Sequence, residues 1–140
     1  MPIDKIFGTT VDLLAKSIDL RSRSHTMISA NLANVETPNY TPTALSFENE
    51  LKGALKGKKV GTPAITHPKH IPLKGQSNSV QQVQGTVIET PSLSPGKDYN
   101  GVDLETEMSR MAENQIMYNA SIQILSKQFN EIKSAIRENK

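Results

Sequence analysis

Apolar residues recur at alternating steps of four and three along the last third of this chain. They fall at Leu104, Met108, Met111, Gln115, Tyr118, Ile122, Leu125, Phe129, Ile132 and Ile136. Nine of these ten are apolar, and the phase does not slip. A stripe this narrow and regular is the seam of a coiled coil rather than the wider face of a helix on a globular core. Asp103 is suited to cap such a helix, and the turn signal Asn100-Gly101 precedes it. Glu105 and Glu107 stand near the start, with Lys133, Arg137 and Lys140 near the end, in the order that complements the helix dipole. The pattern predicts one helix over about 103–138, roughly 50 Å long at 1.5 Å per residue.

The N-terminal segment repeats the step through Phe7, Val11, Leu14, Ile18, Arg21, His25, Ile28 and Leu32. Leu13, Leu20 and Met27 lie beside this seam, so the apolar stripe is broader, and Arg21 and His25 interrupt it. Gly8 weakens the first turn and points to Thr9 or Thr10 as the cap. The helix is expected to end near Asn34, because the residue before Pro38 is disfavoured in helical geometry.

Between the two helices Pro and Gly crowd the chain from Pro38 to Gly101. Ala44–Leu55 suggests a short helix, and the weak alternation over Ser79–Thr90 suggests a short hairpin. The expected organisation is an N-terminal polymerisation helix (1–35), a signature turn with an irregular, short-β middle (36–102), and a C-terminal heptad helix (103–140). The fold class is mainly α: long terminal amphipathic helices forming a coiled-coil-like bundle around a small β-containing middle. One antiparallel pair shields only one side of each helix, so leftover apolar stripe calls for a partner.

Composition narrows the function. A net charge of +2 without a basic stripe argues against nucleic acid. Cysteine is absent, so neither disulfides nor thiolate metal sites can form. No apolar run is long enough to span a membrane, and the first residues do not read as a signal peptide. His67 and His70 have no third ligand nearby, so the expectation is an exposed loop rather than a metal site. No nucleophile or phosphate-binding motif occurs, so the expectation is a non-enzyme without cofactor or small-molecule substrate.

The strip Asn31, Leu32, Ala33, Asn34, Val35, Glu36, Thr37, Pro38, Asn39, Tyr40 resembles the signature of bacterial flagellar rod and hook proteins, close to N-x-A-N-x-x-T-P-G-Y. Asn31, Ala33, Asn34, Thr37, Pro38 and Tyr40 match. Asn39 replaces Gly, a mild departure, since Asn tolerates the positive φ that this turn position often needs. Ser46-Phe47-Glu48-Asn49-Glu50-Leu51, the stretch Thr66 to Pro72, and Val102 to Met108 with Asn114 and Tyr118 are also similar to the short proximal rod members.

The resemblance implies a structural subunit made in the cytoplasm, exported unfolded by the flagellar type III system, and polymerised through its terminal helices in the basal body. Its implied partners are further copies, FlgC-like rod subunits, a FliE-like adaptor, the membrane (MS) ring and the export gate. The finished rod would transmit motor torque. The assembly seam would be Leu104, Met108, Met111, Tyr118, Ile122, Leu125, Phe129, Ile132 and Ile136, with Val11, Leu14, Ile18, Ile28 and Leu32. The family also suggests an export-gate pattern of Phe followed four residues later by an apolar residue. Phe47 with Leu51 fits it, as does Phe7 with Val11, and helix packing explains either pair as well. A reading of another class is a soluble helical adaptor or chaperone-like binding module using the same seams.

Overall fold

The computed structural model describes residues 8–56, 80–90 and 101–138. Helix α1 (Thr9–Ala33) leads into strand β1 (Thr43–Ser46) and helix α2 (Glu48–Leu55). A single 3₁₀ turn (Val80–Gln82), strand β2 (Thr86–Glu89) and helix α3 (Leu104–Glu138) follow. The chain is mainly helical, with long terminal helices and a small β-containing middle, as the periodicities predict.

Local chemistry explains the helix ends. Asp103 caps α3: its Oδ1 accepts from the backbone N–H groups of Glu105 (3.0 Å) and Thr106 (3.3 Å). The Thr106 backbone bond is the first cause holding the Asp103 carboxyl below its usual pKa. At α1 the cap is Gly8, not Thr9 or Thr10; both threonines are already helical, and Val11 N–H donates to Gly8 O at 2.9 Å. Asn34 closes α1 by donating from Nδ2 to Ala30 O at 2.8 Å.

The two long helices run antiparallel. Asn31 meets Glu107, while the carbonyl of Arg21, earlier on α1, meets Asn114, later on α3. Because α1 has 25 residues and α3 has 35, the C-terminal turns of α3 outrun the described part of α1.

β1 and β2 form a two-stranded antiparallel sheet with Thr43 opposite Glu89 and Ser46 opposite Thr86. This corrects one expectation. Ser79–Thr90 is not a hairpin: it holds the 3₁₀ turn and then β2, whose partner lies about forty residues upstream. The short helix expected within Ala44–Leu55 is α2, which begins at Glu48 after the residues of β1. Alternation of apolar residues marks a strand without naming its partner.

Gly85, at φ 71°, turns the chain onto β2. A Cβ there would lie 3.0 Å from the Leu45 side chain and 3.1 Å from that of Phe47. The small core under this sheet joins Leu20, Leu45, Phe47, Ala54, Val80 and Val83, with Leu13, Met27 and Leu51 packed on it. Leu13, Leu20 and Met27 thus turn toward the middle segment, which leaves the neighbouring face of α1 for α3.

Candidate functional site: a polar junction and an apolar face

Asn31 is fully buried where the end of α1, the start of β1 and the first turns of α3 converge. Its Nδ2 donates to Thr43 O (2.8 Å) and to Glu107 Oε2 (2.9 Å). Its Oδ1 accepts from Thr43 N–H (3.1 Å) and Tyr40 O–H (3.2 Å). Both donors and both acceptor positions of the amide are therefore used. The buried Glu107 carboxylate also accepts from Arg110 Nη1 at 2.6 Å, so its charge is paired.

The signature turn feeds this junction. Thr37 Oγ1 donates to Asn34 Oδ1 at 3.1 Å, and Tyr40 N–H reaches Thr37 O at 3.4 Å across Pro38 and Asn39. Asn39 has φ 59°, the left-handed value its sequence position calls for. Gly101 N–H donates to Tyr40 O at 3.3 Å, and a Cβ on Gly101 would sit 2.9 Å from that oxygen. Ala33, Thr37, Pro38 and Asn39 are exposed, while Asn34 and Tyr40 are half-buried. The turn's chemistry thus points inward through Asn31 and Tyr40.

The structure divides the predicted seam of α3. Met111, Tyr118, Leu125 and Ile132 are half-buried. Leu104, Met108, Ile122, Phe129 and Ile136 are exposed, Met108 at 58% and Ile136 at 68%; Gln115 is exposed too. The buried column is instead Glu107, Asn114 and Ser121, polar residues seven apart. On α1, Ile28 is buried and Val11, Leu14, Ile18 and Leu32 are half-buried. Ile116, Met117 and Ile124 add further exposed apolar surface to α3. Sequence reasoning missed the buried polar column, since Glu107 reads equally well as a helix-start acid. Its signal is the heptad spacing of Glu107, Asn114 and Ser121 beside the apolar column.

Phe47 is buried in the core with Leu51 half-buried against it. Phe7, His67 and His70 lie outside the described residues. Among the described residues no group of three His, Cys, Asp or Glu side chains is placed to hold a metal ion, and no helix is long and apolar enough to cross a membrane. The arrangement locks two helices at one end and leaves an apolar face on the longer one.

The signature turn and the two long antiparallel helices with exposed apolar residues on α3 fit the resemblance to flagellar rod and hook proteins. No family model matches the chain. It is 29% identical over 117 residues to the flagellar basal body rod protein FlgB of Escherichia coli (strain K12), covering 81% of this chain and 82% of that protein. The FlgB of Borrelia hermsii is 26% identical over 134 residues (94% of this chain, 98% of the relative). The FlgB of Bacillus subtilis (strain 168) is 26% identical over 132 residues (94% and 95%). Each of these relatives is a flagellar basal body rod protein FlgB, and the chain is similar to them over most of its length.

Proposed function

We propose that this chain is a non-enzymatic structural subunit of the proximal rod of the flagellar basal body, polymerised through its terminal helices to transmit motor torque. The observation that carries the reading is the exposed apolar surface of α3, including Met108, Ile116, Ile122 and Ile136. Large apolar side chains repeated along one helix are covered by neighbours in an assembly. Similarity to FlgB proteins across nearly the full chain supports the rod as that assembly. In this reading the subunit is made in the cytoplasm and passes unfolded through the flagellar type III export gate, with Phe47 and Leu51 as the segment the gate reads. It then packs against further copies, FlgC-like subunits, a FliE-like adaptor and the MS ring. The organisation into a polymerisation helix (1–35), a middle (36–102) and a heptad helix (103–140) belongs to the same proposal. Deleting the gene from its host tests it: cells should lose flagella and motility, and purified basal bodies should lack the rod. Normal rods and swimming would refute it.

A further inference from the structure

A cleft of about 380 Å³ opens between α1, the corner where β1 meets α2, and α3. Arg21, Ser24 and Ile28 line it from α1, Phe47 and Glu48 from the corner, and Asn114 from α3. The Arg21 side chain is only 10% exposed, and its Nε is buried with no hydrogen-bond partner among the described residues. The guanidinium lies over the Phe47 ring at 5.5 Å from its centroid. Its ionic neighbour among the described residues, Glu48, stands 3.5 Å from Nη2, and the Glu48 side chain is 65% exposed.

Arginine stays charged at every pH a protein meets, and a buried cation without a close anion is costly. Stacking on Phe47 offsets part of that cost. Glu48 offsets little more, because 3.5 Å is long for a charge-assisted hydrogen bond and an exposed carboxylate is well hydrated. Nε and Nη2 together form the edge that matches a carboxylate in a two-point pair. Among the described residues that edge has a distant acid at one nitrogen and no hydrogen-bond partner at the other.

We propose that this cleft is a binding site for a carboxylate side chain on a neighbouring subunit, seated on the Nε–Nη2 edge of Arg21 after Glu48 swings out. Apolar walls from Ile28, Leu45 and Ile88 admit an aliphatic residue beside the acid. Glu48, Glu107 and Glu113 around the cleft repel a multiply charged anion such as phosphate more strongly than a single carboxylate carried on a peptide. The proposal rests on the rod-subunit reading only for the source of that carboxylate.

The test uses the isotopically labelled full chain and follows the Arg21 Nε–Hε resonance by NMR. The probes are a blocked glutamyl-leucine dipeptide, its glutaminyl counterpart and inorganic phosphate. The expected result is a saturable shift with the glutamyl probe alone, at least ~10-fold weaker binding in Arg21→Lys, and tighter binding in Glu48→Gln. Arg21→Met, which keeps the apolar stem over Phe47, should retain the helix content of the parent by circular dichroism and bind no probe. Absence of a saturable shift would overturn the proposal. So would an Nε–Hε resonance that responds to Glu48→Gln but to no probe, because Glu48 would then fill the edge itself. None of these readouts depends on rod assembly, so the cleft can fail while the rod reading stands, and the reverse.

Discussion

Replacing Asn31 by Leu removes one side chain of nearly the same volume and four hydrogen bonds. The Tyr40 hydroxyl is half-buried and turns to water, and Glu107 keeps Arg110. The part-buried N–H and C=O of Thr43 lose their side-chain partner where β1 meets α1. An unsatisfied buried group costs about 1–3 kcal/mol, and together with the lost bond between Asn31 and the buried Glu107 the part-buried pair costs about 4 kcal/mol at most. Burial of the Leu side chain returns about 1 kcal/mol, which leaves a net loss of at most about 3 kcal/mol. For a chain of this size that lowers Tm by up to roughly 10 °C. The assay is urea unfolding of the purified chain followed by circular dichroism, with Ala33→Ser, an exposed neighbour in the same signature, as the control expected within about 0.5 kcal/mol. A double-mutant cycle with Glu107→Met should show coupling above about 0.5 kcal/mol, since the two side chains bond directly. If Asn31→Leu costs no more than Ala33→Ser, the junction does not hold the helices together and the reasoning fails.

Ile122→Asp should leave the free chain within about 1 kcal/mol of the parent, because the site is 40% exposed, while abolishing rod assembly; motile cells carrying it would show that this face is not an interface. Phe47→Ala with Leu51→Ala should lower secretion of the subunit with its cytoplasmic level maintained, as read by fractionating cells; normal secretion with absent rods would leave these residues a packing role alone. The same pair should cost the isolated chain about 3–5 kcal/mol, since Phe47 is buried. Asp103 has a lowered folded-state pKa, so its stabilisation is present above the unfolded carboxylate pKa and is lost as pH falls through the folded value. Hydrogen exchange in the first turn of α3 should therefore speed up on acidification, and Asp103→Asn should remove that pH dependence.

The parts of the fold legible in the sequence are those whose cause is local. Asp103 caps α3 through its own side chain and the next three residues, and Asn39 adopts positive φ because the turn around Pro38 demands it. The pairing of β1 with β2 was not legible, because its register depends on residues about forty positions apart. The same distance hid the role of Glu107, whose partner Asn31 lies 76 residues away. The heptad count identified α3 as a seam but not which column faces α1. That choice was made by hydrogen-bonding groups, which a hydrophobic count passes over: Asn114 reaches the Arg21 carbonyl, and Glu107 reaches Asn31.

The bonds that close the helix pair span 76 residues from Asn31 to Glu107 and 93 from Arg21 to Asn114. A chain that emerges from a ribosome or a narrow channel one end first therefore presents one long helix whose counterpart is still inside. Contacts of such sequence separation form late, since the loop between them must first be brought to closure. Threading order thus sets a delay: α1 and α3 can close on each other only when most of the chain is free.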